Sequence, residues 1–210
     1  MEVISVLAVT IATIVSLIYY KKFKDTPYVY FIYFMVFTFL TEFFGILFGH
    51  ILLIYNVFVY NIYTIFVFIF YFVFYKKIFK NSKNKKIMLW FVTIYLLFVF
   101  ADIFIIKTHF FNHSLINSFV VGAVLLLVTL ILFLKEVIDN KNAIFNIRKT
   151  FIFWISTGAL LFFIGVIPVM ITVEHFKYEG LPDYVIAILN VIMYGCFVIG
   201  FVNSDHKYNY

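Results

Sequence analysis

Few side chains in this 210-residue chain could do chemistry, and the most telling is a lone acid in an apolar setting. Between residues 28 and 75 there is no Lys or Arg, and Glu42 is the single Asp or Glu. A carboxylate carried into hydrocarbon costs roughly 2.5–3.5 kcal/mol on insertion scales, so the fold must give it a partner, a proton or a watery cavity. Thr38, Glu42, Gly45 and Gly49 fall at i, i+4, i+7 and i+11, which puts them on one helical face turned toward the bundle interior. Gly45 and Gly49 also form a Gly-x-x-x-Gly pair, which lets a second helix approach closely in lipid. A carboxylate on such a face can couple a proton or cation, or bind a ligand.

The other candidates are polar groups inside apolar runs: Asn61, Asp102, Asn190 and, one turn after Asn190, Tyr194. With Glu42 they are the expected lining of a small-molecule cavity between helices. The bland alternative is that they only hydrogen-bond helix to helix. His109 and His113 stand at i, i+4, a spacing that puts two imidazoles on one helical face and suits zinc or proton sensing. A third metal ligand would have to come from His50, His175 or Glu174. No cofactor is otherwise expected.

These residues must be positioned by membrane helices. The chain is 65% hydrophobic, 12% charged and of mean hydropathy +1.08, too little polar surface to cover a water-soluble globule. Seven apolar runs are long enough to cross about 30 Å of hydrocarbon. They lie near residues 3–20, 28–49, 54–75, 87–106, 114–134, 151–172 and 181–202, and the turn between the second and third is placed at Gly49-His50 and Asn56. No basic leader or small-residue cleavage site marks the first run as a removed signal. In the sixth run Pro168 cannot donate to the carbonyl of Ile164, and with Gly165 beside it a kink or hinge is expected there.

Charge orients the spans. Fourteen of the sixteen Lys and Arg fall in the first, third and fifth loops and the C-terminal tail, leaving only Lys107 and Lys177 on the other side. The positive-inside rule then puts the N-terminus outside and the C-terminus in the cytoplasm. The net charge of +6 is thereby spent on orientation, and nucleic acid is not an expected partner. On this topology Glu42, Asn61, Asp102, Asn190 and four of the five histidines share the outer half. Trp90 and Trp154 are expected at the cytoplasmic interface. A short interfacial helix is expected within residues 135–150.

Several seven-helix families are excluded by their own motifs. The last helix has no lysine for a retinal Schiff base, the chain has no glutamine for the proline-glutamine motif of small sugar transporters, and the His-x-x-x-His pair lies on the wrong helix for an alkaline-ceramidase-type zinc hydrolase. The stretch from Phe153-Trp154 through Gly158 to Gly165, followed by Asn190 and Tyr194, resembles the closing helices of small bacterial membrane proteins often encoded beside two-component sensor kinases. That resemblance implies a sensory or accessory role.

The expectation is therefore an all-α, polytopic transmembrane bundle of seven helices forming a single domain over residues 1–210. It would sit in a bacterial cytoplasmic membrane as a non-enzymatic sensor or accessory protein with an outward-facing polar cavity. Its expected partners are the lipid bilayer, a protein docked on the basic cytoplasmic loops, and further copies of the chain. A small transporter or channel with Glu42 as coupling carboxylate, and an intramembrane lipid-modifying enzyme, are the alternatives.

Overall fold

The computed structural model of the protein describes residues 2–106, 108–139, 147–172 and 180–205, and among these there are helices and turns but no strand. In chain order the helices are α1 (Glu2–Ile18), α2 (Tyr20–Phe23), α3 (Val29–Ile46), α4 (Val57–Ile78), α5 (Ser82–Phe104), α6 (Ile116–Asp139), α7 (Phe151–Thr172) and α8 (Leu181–Asn203). An all-helical chain is what hydrocarbon demands, because a helix satisfies its backbone polar groups within one segment. Among the described residues six helices, α3 through α8, are long and apolar enough to cross a membrane. α1 is shorter, 17 residues or about 26 Å of helix against roughly 30 Å of hydrocarbon.

Element boundaries differ from expectation where local chemistry intervenes. α3 runs on into a π-helical turn, Leu47–Ile51, so Gly49 and His50 stay inside the helix and the chain reverses over residues 52–56. The amides of Leu52 and Ile54 close onto the carbonyls of Leu47 and Phe48 at 3.0 and 2.9 Å, and Leu53 takes the left-handed conformation, φ +53°, usually given to glycine at a helix end. Five of the six lysines assigned to the third loop lie instead on the last turn of α4 and the first turns of α5; only Lys80 is in the connection, residues 79–81. Phe79 is buried there, and the Asn81 side chain accepts the Lys83 amide at 2.9 Å as the N-cap of α5. The last expected run, by contrast, coincides with α8 to within a residue. Of the proposed interfacial helix, α6 covers 135–139 and a short 3-10 turn covers Ile147–Lys149; residues 140–146 lie outside the described ones.

The chain divides into two compact units, Met1–Val36 with Leu130–Tyr210, and Phe37–Thr129. In the first, α1 is built inside out: Val9, Ala12, Thr13 and Ser16 are buried while Ile4, Leu7, Ile11, Ile14 and Ile18 are exposed. Small and hydroxylated residues inward with aliphatics outward is the pattern of a helix whose solvent is lipid. Thr13 donates to the carbonyl of Met35 at 3.2 Å. α7 and α8 lie close because glycines open the way. A Cβ at Gly158 would fall 2.9 Å from the Met193 carbonyl oxygen, and one at Gly165 2.6 Å from a Leu189 methyl. Pro168 sits inside α7, which continues to Thr172.

One end of this unit is a cluster of rings. Phe151 lies 4.7 Å from Phe23 and 4.5 Å from Phe201, and Phe31 lies 5.0 Å from Phe197. Lys22 Nζ donates to the carbonyl of Phe201 at 3.0 Å, where the last turn of α8 leaves backbone acceptors unfilled. Partial burial lowers the pKa of this ammonium, and the Asp205 carboxylate works in the opposite direction.

In the second unit, α4 and α5 pack through aromatic rings. Phe68 meets Tyr95 at 5.4 Å and Phe72 meets Phe91 at 5.9 Å. Tyr95 donates to the carbonyl of Thr64 at 3.1 Å, and Phe68 fills the space that Gly122 leaves on α6.

Candidate functional site

The polar residues of the second unit gather at the end away from the lysine turn, and they do two kinds of work. Asp102, two residues before the end of α5, is fully buried. One carboxylate oxygen accepts the Ser118 amide at 3.1 Å and the Ser118 hydroxyl at 2.6 Å. The other accepts Thr108 Oγ1 at 3.0 Å and Asn117 Nδ2 at 3.4 Å. Ser118 lies in the first turn of α6, so a side chain from α5 caps the exposed amides of the next helix. Negative charge is also favoured at that helix end by the macrodipole.

Asn61, on α4, completes the arrangement and is 2% exposed. Its Nδ2 donates to the carbonyls of Phe110 at 2.7 Å and His113 at 2.9 Å, and its Oδ1 accepts the Leu115 amide at 3.0 Å. Both donor hydrogens are thus committed to the backbone of the α5–α6 turn. Asp102 and Asn61 were expected to line a ligand cavity; the structure uses them as two clamps on one turn. Asn61→Ala should therefore raise amide hydrogen exchange selectively over residues 110–115, leaving α4 itself protected, as mass spectrometry of the detergent-solubilised chain would register.

The clamped turn carries the two histidines. The His113 amide bonds to the His109 carbonyl at 2.8 Å, one helical turn, and the imidazole centroids lie 6.1 Å apart on exposed side chains. Among the described residues no group of three His, Cys, Asp or Glu is placed to hold a metal ion. Glu174 and His175, named as further ligands, lie outside the described residues. His50 is exposed on the π-turn after α3.

Glu42 is in a different environment. It is half-buried on α3, and its Oε2 lies 3.5 Å from the Tyr60 hydroxyl on α4. The face that bears it meets α4 residue by residue. Thr38 pairs with Tyr63 at 3.4 Å between hydroxyls, Gly45 lies against Tyr60, and Asn56 donates to the Gly45 carbonyl at 3.0 Å while covering Gly49. A Cβ at Gly45 would collide with the Tyr60 hydroxyl, so glycine there is what lets the phenol reach the carboxylate.

Asn190 and Tyr194 belong to the other unit. Asn190 Nδ2 lies 3.2 Å from Ser5 Oγ, joining α8 to α1, and Tyr194 is buried edge-on to Phe197 at 5.9 Å. The chain matches no protein-family model, no curated protein and no solved structure. The site must therefore be read from its chemistry alone.

Three contributors escaped the sequence reading. Tyr60 and Tyr63 stand one turn apart on α4 and present hydroxyls to α3, but sixteen tyrosines in the chain hide the pair. Ser118 is the principal donor to Asp102. A signal existed, a Ser in the first turn of a helix that follows a buried Asp, but the α6 start had to be known to use it.

Proposed function

We propose that the chain is a non-enzymatic membrane sensor or accessory subunit whose input is read at Glu42. On this reading α1 is the seventh crossing, the N-terminus is outside, the C-terminus is cytoplasmic, and the membrane is a bacterial cytoplasmic one. The observation that carries the proposal is the setting of Glu42, a half-buried carboxylate on the α3 face that Gly45 opens to the Tyr60 hydroxyl of α4. Asp102 is fully buried and accepts from four donors that tie the end of α5 to the start of α6. Glu42 is half-buried, and its contact with the Tyr60 hydroxyl is at the long limit of a hydrogen bond. A change of proton or ligand at this carboxylate would act directly on the contact between α3 and α4.

Its α3 face meets α4 through Gly45, Gly49 and phenolic hydroxyls, so a change at the carboxylate is felt directly by the α3–α4 contact. The π-turn next to it adds a second place where backbone pairing can change register. Protonation or a bound ligand would then shift the balance between two packings. A protein bound at the basic helix ends near Arg148 and Lys149 would receive the signal. A transporter would need polar groups continuing along the bundle, whereas the opposite half of α4 buries Tyr71, Phe72, Phe74 and Tyr75.

Hydrogen exchange over residues 45–60 in lipid nanodiscs is the test. As pH is varied, the wild-type chain should change its protection across the π-turn and the start of α4. Glu42→Gln should hold a single pattern at every pH. A wild-type profile that does not respond to pH or to added candidate ligands removes Glu42 as the input.

A further inference from the structure

The surface of α5 carries a feature that neither the clamps nor Glu42 use. Its buried stripe is Met88, Tyr95, Val99 and Asp102, and its opposite stripe is exposed throughout: Lys83, Lys86, Trp90, Leu97 and Phe104. The spacing along that outer stripe is three, four, seven and seven residues, so one line of side chains runs from two ammonium groups, across an indole, onto aliphatic and aromatic surface. Trp90 is 66% exposed and Leu97 65%. From Lys83 to Trp90 the helix rises about 10 Å, enough to carry the stripe from the headgroup region, about 5–7 Å deep on each side, into the hydrocarbon.

The charge around this stripe has one sign. Lys76, Lys77, Lys80, Lys83, Lys85 and Lys86 fall within eleven residues, and no Asp or Glu occurs between residues 43 and 101. The turn that presents them is fixed by buried Phe79 and by the Asn81 cap. A lysine at the end of any membrane helix serves orientation. Two exposed lysines one turn apart, directly in line with an exposed indole on an apolar stripe, match the whole length of a phospholipid.

We propose that Lys83, Lys86 and Trp90 form a binding site for an anionic phospholipid. The two ammonium groups take the phosphate diester, the indole lies at the glycerol level, and the acyl chains run along Leu97 toward Phe104. The occupant is a lipid and not a soluble anion, because the stripe continues as apolar surface for the rest of the helix. The site is independent of the role assigned to Glu42.

The chain with Trp154→Phe keeps Trp90 as its one indole and can be reconstituted in vesicles of phosphatidylcholine with a fixed fraction of phosphatidylglycerol. Bromine is placed on the acyl chains of one lipid or the other. Brominated phosphatidylglycerol should quench Trp90 about fivefold more effectively per mole than brominated phosphatidylcholine, the ratio expected for the attraction of about one lysine to an anionic surface. Lys83→Gln with Lys86→Gln should bring the ratio to one. Lys76→Gln with Lys77→Gln, off the stripe, should leave most of it. Equal quenching by both lipids overturns the proposal, and so does an equal loss in the two double variants, which would mean diffuse attraction. Capture of a soluble protein that depends on Lys83 and Lys86, with no lipid preference, overturns it in favour of protein docking. Native mass spectrometry of the unsubstituted chain gives a second reading: phosphatidylglycerol should remain bound where phosphatidylcholine is shed, and equal retention overturns the site.

Discussion

Replacing Asp102 with Ala is expected to lower stability by about 2–5 kcal/mol, among the largest effects of any polar substitution in this chain. The range comes from two competing estimates. Hydrogen bonds to a charged group contribute roughly 1.5–3 kcal/mol each in water-soluble proteins, and four donors converge on this carboxylate. In bilayers, side-chain hydrogen bonds between helices average only about 0.6 kcal/mol, because the unfolded reference state also finds partners. The low figure applied to four bonds sets the floor. The ceiling is set by the Ser118 amide and hydroxyl, left buried without an acceptor.

Asp102→Asn should fall in between, since the amide keeps one acceptor oxygen but aims its NH2 at donors. Hydrogen exchange should show residues 108–118 opening ahead of the remaining helices. The measurement is unfolding in mixed micelles of rising denaturing-detergent fraction, with exposed Asp183→Asn as the control. A Asp102→Ala chain within 0.5 kcal/mol of wild type would mean that the α6 start needs no cap from α5.

How far the sequence could be read follows from the same physics. Helices α4 to α8 were legible because a run of twenty apolar residues has few other fates in water or lipid. The run from Tyr28 to Tyr75 holds two helices and offers no charge to divide them. The turn was therefore placed at its glycine, whereas Leu53 takes the left-handed position and Gly49 is reserved for the approach of Asn56. The rule that glycine marks helix ends is a rule for water. In a membrane bundle glycine is wanted in mid-helix, where two backbones meet.

The candidate site was legible as a set of residues but not as a set of roles. Glu42, Asn61 and Asp102 all read as costly polar groups in an apolar chain. Sequence cannot tell an acid that caps a neighbouring helix from one set between two packed helix faces. That distinction depends on which donors the fold brings to each oxygen: Thr108, Asn117 and Ser118 to Asp102, and the Tyr60 hydroxyl to Glu42, all from residues distant enough in sequence that only the packing of helix ends assembles them. Tyrosine hydroxyls facing Glu42 were hidden for a related reason: in a chain 23% aromatic, a functional phenol looks like packing.

The second large effect concerns two glycines of the α7–α8 pair, and it separates close approach from mere helix propensity. Gly158→Ala should destabilise by about 1–3 kcal/mol, and Gly158→Leu by more. The added Cβ would lie 2.9 Å from both the Met193 carbonyl oxygen and the Cys196 Cβ, and 3.1 Å from Phe197. Neither of the first two can swing aside, so α8 as a whole must move. Gly195→Ala, on α8 with no atom within 4 Å of the new Cβ, should instead gain up to about 1 kcal/mol from lost backbone freedom in the unfolded chain. The same chemical change at the two positions should therefore differ in sign.

Rescue experiments sharpen the argument. Cys196→Ala should not restore Gly158→Ala, since the contact is with a Cβ that alanine keeps and with a backbone oxygen that no substitution removes. At Gly165 the obstruction is the tip of a side chain, Leu189 Cδ2 at 2.6 Å, so Leu189→Ala should recover much of the loss in Gly165→Ala. If Gly158→Ala and Gly195→Ala shifted unfolding equally, or if Cys196→Ala rescued the first, the α7–α8 contact would not be set by backbone approach. It would then rest on interchangeable side-chain packing, and Gly165 beside Pro168 would regain its standing as a hinge.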